Sequence, residues 1–263
     1  MKYETLLFET DARGIATLTL NRPDKHNAMS ATMIRELTDV ASRLAGDSRA
    51  RLVVLTGAGT SFCAGGDLAW MRAQMSAPRT QRIAEARALA TMLRALNELP
   101  QAVIGRINGQ AFGGGVGLMC ICDMTVAVHD ARFGLTETRL GLIPATISPY
   151  VLARMGDGRA RQIFMSSRRF GCDEAVELGL LGRSVSASDL DAAIAAELEP
   201  YLGCSPDAVA RSKALLRALG TAIDDAVIDQ TIERLADTWE TGDAHEGVSA
   251  FFERRKPRWA NDT

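Results

Sequence analysis

The segment Val103-Ile104-Gly105-Arg106-Ile107-Asn108-Gly109-Gln110-Ala111-Phe112-Gly113-Gly114-Gly115-Val116-Gly117 decides how the chain is read. Val103–Ile107 is a short apolar run of the kind a buried strand makes. The glycines that follow give a turn almost free of side chains, and a helix is expected to begin near Gly114. The first amides of a helix have no acceptor within it, and glycine lets a ligand approach them closely. The same order occurs upstream. The strand Leu52–Thr56 runs into Thr60-Ser61-Phe62-Cys63-Ala64-Gly65-Gly66-Asp67-Leu68, with a helix expected from Asp67. Two such amides converging on one point would form an oxyanion hole for charge developing on a carbonyl oxygen. The competing reading is that the glycines serve only tight turns and close packing.

Working outward, Tyr3–Phe8, Ile15–Leu20 and Met124–Val128 also read as strands. Ser30 is a plausible N-cap for a helix whose Met33, Ile34, Leu37 and Val40 form an apolar stripe. A longer helix is expected over Thr80–Leu99, with Ile83, Ala86, Leu89, Leu93 and Leu96 inward. Strands alternating with helices predict an α/β protein. Beyond about Phe170 only Gly182–Val185 resembles a strand. Amphipathic helices are expected over Asp189–Tyr201, Ser205–Leu219, Asp224–Thr241 and Glu246–Lys256, the third with Val227, Ile228, Ile232, Leu235 and Trp239 on one side. The expected division is an α/β core over residues 1–200 and a helical region over 201–263 that serves oligomerisation, because a thin helical layer cannot bury both its faces alone.

Composition narrows the function. Lys plus Arg number 30 against 32 Asp plus Glu, a formal charge of −2 that argues against nucleic-acid binding. With 47% apolar residues the chain is not of the disordered, charge-dominated kind. No apolar run approaches the ~20 residues of a membrane helix, and Met1-Lys2-Tyr3-Glu4-Thr5 lacks a signal-peptide stretch. Cys63, Cys120, Cys122, Cys172 and Cys204 then read as reduced thiols of a cytoplasmic protein. The glycine run does not give the dinucleotide-binding spacing, and phosphate-loop, nucleophile-elbow and H-E-x-x-H patterns do not occur. His26, His129 and His245 have no evident Ser or Cys partner, and Cys120 and Cys122 lack further ligands, so neither a nucleophilic triad nor a metal site is expected. Glu137, within Phe133-Gly134-Leu135-Thr136-Glu137-Thr138-Arg139-Leu140-Gly141-Leu142, is the candidate acid–base group. Apolar neighbours would desolvate it and raise its pKa. The alternative is a surface Glu that caps a helix or pairs with Arg139.

Asn21-Arg22-Pro23-Asp24-Lys25-His26-Asn27-Ala28-Met29, Phe62–Leu68, Asn108–Gly117 and Phe133–Pro144 resemble four signature stretches of the crotonase (enoyl-CoA hydratase/isomerase) family. Glu246–Pro257 resembles its closing segment, so the likeness spans nearly the whole chain in order. The resemblance implies a spiral of ββα units with an α-helical C-terminal trimerisation region, assembled as a homotrimer or a dimer of trimers. It implies an acyl-CoA substrate and no separate cofactor. By position, the amides of Gly66 and Gly114 would hold the thioester oxygen, with Glu137 as acid–base group. Lys25, His26 and Ala28 would lie along the CoA, and Ala64, Asp67 and Leu68 near its adenine and pantetheine. Phe251 and Lys256 would approach CoA, in one arrangement from a neighbouring subunit. Lys25 and Lys256 could meet its phosphates.

One departure matters. Hydratases of the family usually hold water with two glutamates; the second matches Glu137, and the first falls on Gly117. Two-carboxylate hydration therefore cannot be carried over. Glu137 would act alone, either in hydration or by moving a proton between C2 and C4, or a substrate would fill the space opened at Gly117. Gly65–Arg72 and Phe133–Ser148 look more like the methylglutaconyl-CoA and isohexenylglutaconyl-CoA hydratases than the short-chain enzyme. That likeness implies a branched or carboxylated acyl chain, with Arg139 or Arg72 as a carboxylate partner. Trp70, Met71, Phe112 and Ile147 are the expected shapers of the pocket. The expected activity is hydration of a 2-enoyl-CoA. The alternatives are Δ3,Δ2-enoyl-CoA isomerisation and catalytically silent acyl-CoA binding.

Overall fold

A computed structural model describes residues 2–260; Met1 and the last three positions of the expected C-terminal region lie outside the described residues. The apolar runs assemble into two sheets. The strands are β1 (Leu6–Thr10), β2 (Ile15–Leu20), β3 (Leu52–Gly57), β4 (Ser61–Cys63), β5 (Ala102–Ile107), β6 (Gln110–Phe112), β7 (Met124–Val128), β8 (Phe133–Gly134) and β9 (Arg183–Val185). The larger sheet runs β1-β2-β3-β5-β7-β9 and the smaller β4-β6-β8. The β1–β2 pair is antiparallel and every other pair is parallel.

Parallel neighbours need crossovers, which helices before β9 supply, and four further helices follow the last strand. The helices are α1 (Ala31–Gly46), α2 (Leu68–Ser76), α3 (Arg79–Asn97), α4 (Gly114–Cys120), α5 (Ser148–Met155), α6 (Asp157–Phe164), α7 (Cys172–Glu177), α8 (Leu190–Leu202), α9 (Pro206–Leu219), α10 (Asp225–Trp239) and α11 (Gly242–Glu253). Ser30 caps α1 by accepting from the Met33 amide at 3.2 Å. Period-two alternation in β3 sends Val53 and Leu55 to the core shared with α1 and α3, and Leu52 and Val54 to a second core covered by α8. Burial on both faces is why β3, inside the sheet, is buried at every position, whereas the edge strand β1 is mostly exposed.

Two boundaries move from expectation for identifiable reasons. The first strand starts at Leu6 rather than Tyr3, because the amides of Glu4 and Thr5 donate to the Glu36 carboxylate at 2.7 and 2.9 Å. The last helix starts at Gly242 rather than Glu246, because Thr241 caps it by accepting from the Ala244 amide at 3.2 Å. Beyond residue 200 the chain stays close to the core. Lys213 of α9 is buried, its Nζ 2.6 Å from Asp123 Oδ2 and 3.0 Å from the Gln101 carbonyl oxygen. The Ile228 and Ile232 side chains of α10 pack with Ala86 and Ala90 of α3. On α11, Ala244 and Val248 pack with Leu142 and Trp239.

Candidate active site

The two glycine-rich bends lie against each other. Pairing of β4 with β6 sets Ser61 beside Gln110 and Cys63 beside Ala111. A Cβ on Gly65 would stand 2.9 Å from the Phe112 carbonyl oxygen, and one on Gly115 would overlap the carbonyl oxygen of Cys63. The backbone thus approaches at distances no larger residue permits. A third strand-like segment flanks the first bend: the Met29 amide donates to the Gly65 oxygen at 2.8 Å, and the Asp67 amide to the Met29 oxygen at 3.0 Å. The Gly66 N–H, between these bonds, has no hydrogen-bond partner among the described residues. The N–H of Gly114, the first residue of α4, has none either. Both glycines line one cavity of about 330 Å³, and Glu137 lines it with them.

Glu137 opens a single 3₁₀ turn, Glu137–Leu140, closed by Gly141 in the left-handed region at φ 68°. Its carboxylate lies over Gly113, where a Cβ would stand 2.8 Å from Oε1. Gly113 itself has φ +50° and ψ −117°, so the position demands glycine twice over. The Glu137 residue is half-buried, but its Oε2 is fully buried and has no hydrogen-bond partner. Desolvation raises the pKa from 4.5 to about 7, against the smaller opposing pull of the Glu137 and Thr136 amides. The pairing with Arg139 is not formed among the described residues; the Arg139 amide instead donates to Ser167 Oγ at 2.9 Å.

A carboxyl whose pKa rises on folding binds a proton in the native state before the unfolded chain does. Its stabilising contribution is complete below pH 4.5 and lost as pH rises through about 7. At ~1.4 kcal/mol per unit the ionised group costs at most about 3–4 kcal/mol. Glu137→Gln should therefore melt higher than the parent at pH 8 and at the same temperature at pH 4; equal melting at pH 8 would show an unstrained carboxylate.

Asp67 works locally. It is 8% exposed. Its Oδ1 accepts from the Ala69 and Trp70 amides at 2.8 and 3.2 Å as the N-cap of α2, and its Oδ2 meets Arg22 at 2.9 Å. Burial works to raise its pKa, but the Arg22 hydrogen bond and the two amides outweigh it and hold the group below its ordinary value. Asp67→Ala should cost about 1–2 kcal/mol, read as a fall in denaturant midpoint at unchanged slope.

Of the other expected residues, Ala64, Leu68, Trp70, Met71, Phe112, Arg139, Ile147 and Phe251 line the cavity. Phe251, 46% exposed, reaches the cavity of its own chain from α11. Lys25, His26, Ala28, Asp67, Arg72 and Lys256 are not among the lining residues. Lys25 is exposed in the turn Pro23–Lys25, His26 Nδ1 lies 2.9 Å from Ser61 Oγ, and Ala28 is buried, its carbonyl bonded to Arg22 at 2.6 Å. The Arg72 guanidinium stacks over Phe252 at 4.3 Å, and Lys256 is exposed beyond α11. The opening expected at Gly117 is not there. A Cβ on Gly117 would overlap Cγ2 of Ile147 and lie 3.0 Å from its Cβ, so the isoleucine occupies the volume a glutamate would need. Sequence reasoning also missed Gly113, Arg169, Leu235 and Trp239 as lining residues. Only Gly113 left a signal, as the residue that must bend the chain just before α4.

Among the described residues no group of three or more His, Cys, Asp or Glu could hold a metal ion. No helix among them is long and apolar enough to cross a membrane.

Residues 10–262 match the family model for Enoyl-CoA hydratase/isomerase. The chain is 31% identical over 263 residues to the short-chain-enoyl-CoA hydratase of Clostridium acetobutylicum, covering 97% of each. An enoyl-CoA hydratase structure from Shewanella pealeana is similar with a TM-score of 0.81 and 37% identity, over 98% of this chain and 97% of that one. Pseudomonas aeruginosa AtuE gives a TM-score of 0.79 and 37% identity, over 98% of this chain and 100% of that one. These solved structures share the chain's mixed α/β fold over nearly its whole length. The protein belongs to the enoyl-CoA hydratase/isomerase, or crotonase, family.

Proposed function

We propose that the protein is an acyl-CoA-processing lyase that adds water across the C2=C3 bond of a 2-enoyl-CoA. The observation that carries the reading is the unpartnered, buried Oε2 of Glu137 in the cavity that also holds the free amides of Gly66 and Gly114. The thioester oxygen accepts from both amides, which draws electrons from the conjugated double bond and makes C3 electrophilic. Ionised Glu137 takes a proton from water as the water oxygen bonds to C3. The displaced electron pair rests on the thioester oxygen as an enolate. Glu137, now a carboxylic acid, returns the proton to C2 and the thioester carbonyl re-forms. Each amide supplies roughly 3 kcal/mol to that enolate-like state. A carboxyl with a pKa of about 7 suits a group that must be base and then acid within one turnover.

A second reading has its own support. Glu137 is the only acidic residue lining the cavity among the described residues, and Gly117 with Ile147 leaves no place for another. Δ3,Δ2-isomerisation needs a single proton carrier, which would take a proton from C2 and return it to C4. Incubating a 2-enoyl and a 3-enoyl thioester separately, while following the ultraviolet absorbance of the conjugated enoyl thioester, separates the two. Loss of absorbance from the first supports hydration, and gain from the second supports isomerisation. Tight binding of acyl-CoAs with neither change would identify a silent binder.

The same reading takes the CoA thioester itself as substrate, with no separate cofactor. A branched or carboxylated acyl chain is supported by Arg139 at the cavity wall. Assembly as a homotrimer or dimer of trimers is supported by Leu215, Leu216 and Leu219, which α9 exposes. A cytoplasmic location is supported by five unpaired cysteines.

A further inference from the structure

Two tryptophans line the cavity, Trp70 from α2 and Trp239 from α10, and two charged residues one turn apart on α3 hold them. Arg82 is buried; its Nε donates to the Gln74 carbonyl at 2.9 Å, its Nη2 to that of Met75 at 3.1 Å, and its guanidinium lies 5.7 Å from the Trp239 ring centre. Glu85 collects three donors. Its Oε2 accepts from Trp70 Nε1 and from Gln74 Nε2 at 2.6 Å, and its Oε1 from Gln81 Nε2 at 3.0 Å. The other edge of the Trp70 indole faces the first glycine bend, where a Cβ on Gly66 would stand 3.5 Å from Cζ3. The ring is thus held at one edge by a charge-assisted hydrogen bond while its other edge faces the bend. Such bonds are about twice as strong as neutral ones.

We propose that Glu85 is a positioning residue for the acyl site: by locking the Trp70 indole against Gly66 it sets how large an acyl group enters beside the oxyanion amides. The proposal rests on the acyl-CoA reading of the cavity. A ring clamped there also excludes water next to Gly66, and hydrogen bonds to a developing oxyanion are stronger where water is excluded. Released from Glu85, the indole could swing from the bend, and the cavity would admit bulkier chains at the expense of tight fit to small ones.

The test compares Glu85→Leu, which removes the acceptor, with Trp70→Phe, which keeps an aromatic ring but removes the donor. Rates are measured with crotonyl-CoA and decenoyl-CoA, and dissociation constants with butyryl-CoA and decanoyl-CoA. Each variant should raise the ratio of kcat/KM for decenoyl-CoA over crotonyl-CoA by about tenfold. The double variant should add nothing further, because both changes break one interaction. Glu85→Gln, which keeps an acceptor oxygen, should retain most of the parental ratio. A purely structural tie between α2 and α3 would lower the melting temperature of both variants and leave the ratio unchanged, and that outcome overturns the proposal. If the parent turns over neither substrate, the hydration reading fails on its own. The dissociation-constant ratio then decides the positioning role by the same comparison.

Discussion

Glu137→Gln should lower kcat by about 10²–10⁴-fold and leave the dissociation constant for a saturated acyl-CoA within a few-fold of the parent. Glutamine keeps the size of the group over Gly113, whose missing Cβ makes room for it. It keeps polarity in the cavity, and it neither takes nor gives a proton. Because no other acidic side chain lines the cavity among the described residues, none stands ready to replace it. The parent pays for ionising a buried carboxyl, so the variant should lose rate while gaining stability above pH 7. Those opposite signs in one substitution distinguish a group retained for chemistry from one retained for packing. Full activity in Glu137→Gln would remove the assigned role.

The second large effect is expected at Gly117. Restoring the family's first glutamate by Gly117→Glu should not create a two-carboxylate site; it should destabilise the protein by several kcal/mol. Gly117 is buried in the middle of α4, and Ile147, 2% exposed, sits where its side chain would go. Overpacking alone typically costs about 1–3 kcal/mol, and an unpaired buried carboxylate adds to that. Adding Ile147→Ala creates room, so the double variant should be more stable than Gly117→Glu alone, even though Ile→Ala in an intact core costs about 2–5 kcal/mol. Thermal unfolding of the four proteins in the cycle checks this. Parental stability in Gly117→Glu alone would mean that Ile147 moves aside freely and that the glycine marks nothing about the site.

The long elements and both bends were legible because each is a local pattern. Val53 and Leu55 alternate with Leu52 and Val54, Ser30 precedes a helical stripe, and the bends that hold Gly66 and Gly114 come after the apolar runs of β3 and β5. The elements that escaped are those too short to show a period. The three-residue β4 and β6, the two-residue β8, the six-residue α7 and the eight-residue α5 and α6 were not read from the sequence. The desolvation of Glu137 could be inferred from apolar neighbours in sequence, but its position over Gly113 could not, since that depends on β6 pairing with β8. The filling of the Gly117 space was invisible for the same reason: Ile147 arrives from a segment remote in sequence. Trp239 and Phe251 reach the cavity only because α10 packs on α3 and α11 on the Glu137 turn.

The most direct measurement is a crystal structure of Glu137→Gln with crotonyl-CoA bound. The account predicts the thioester oxygen about 3 Å from the amide nitrogens of both Gly66 and Gly114, with the substituted side chain facing C2 and C3. A thioester carbonyl turned away from either amide, or an acyl group bound outside this cavity, would contradict it.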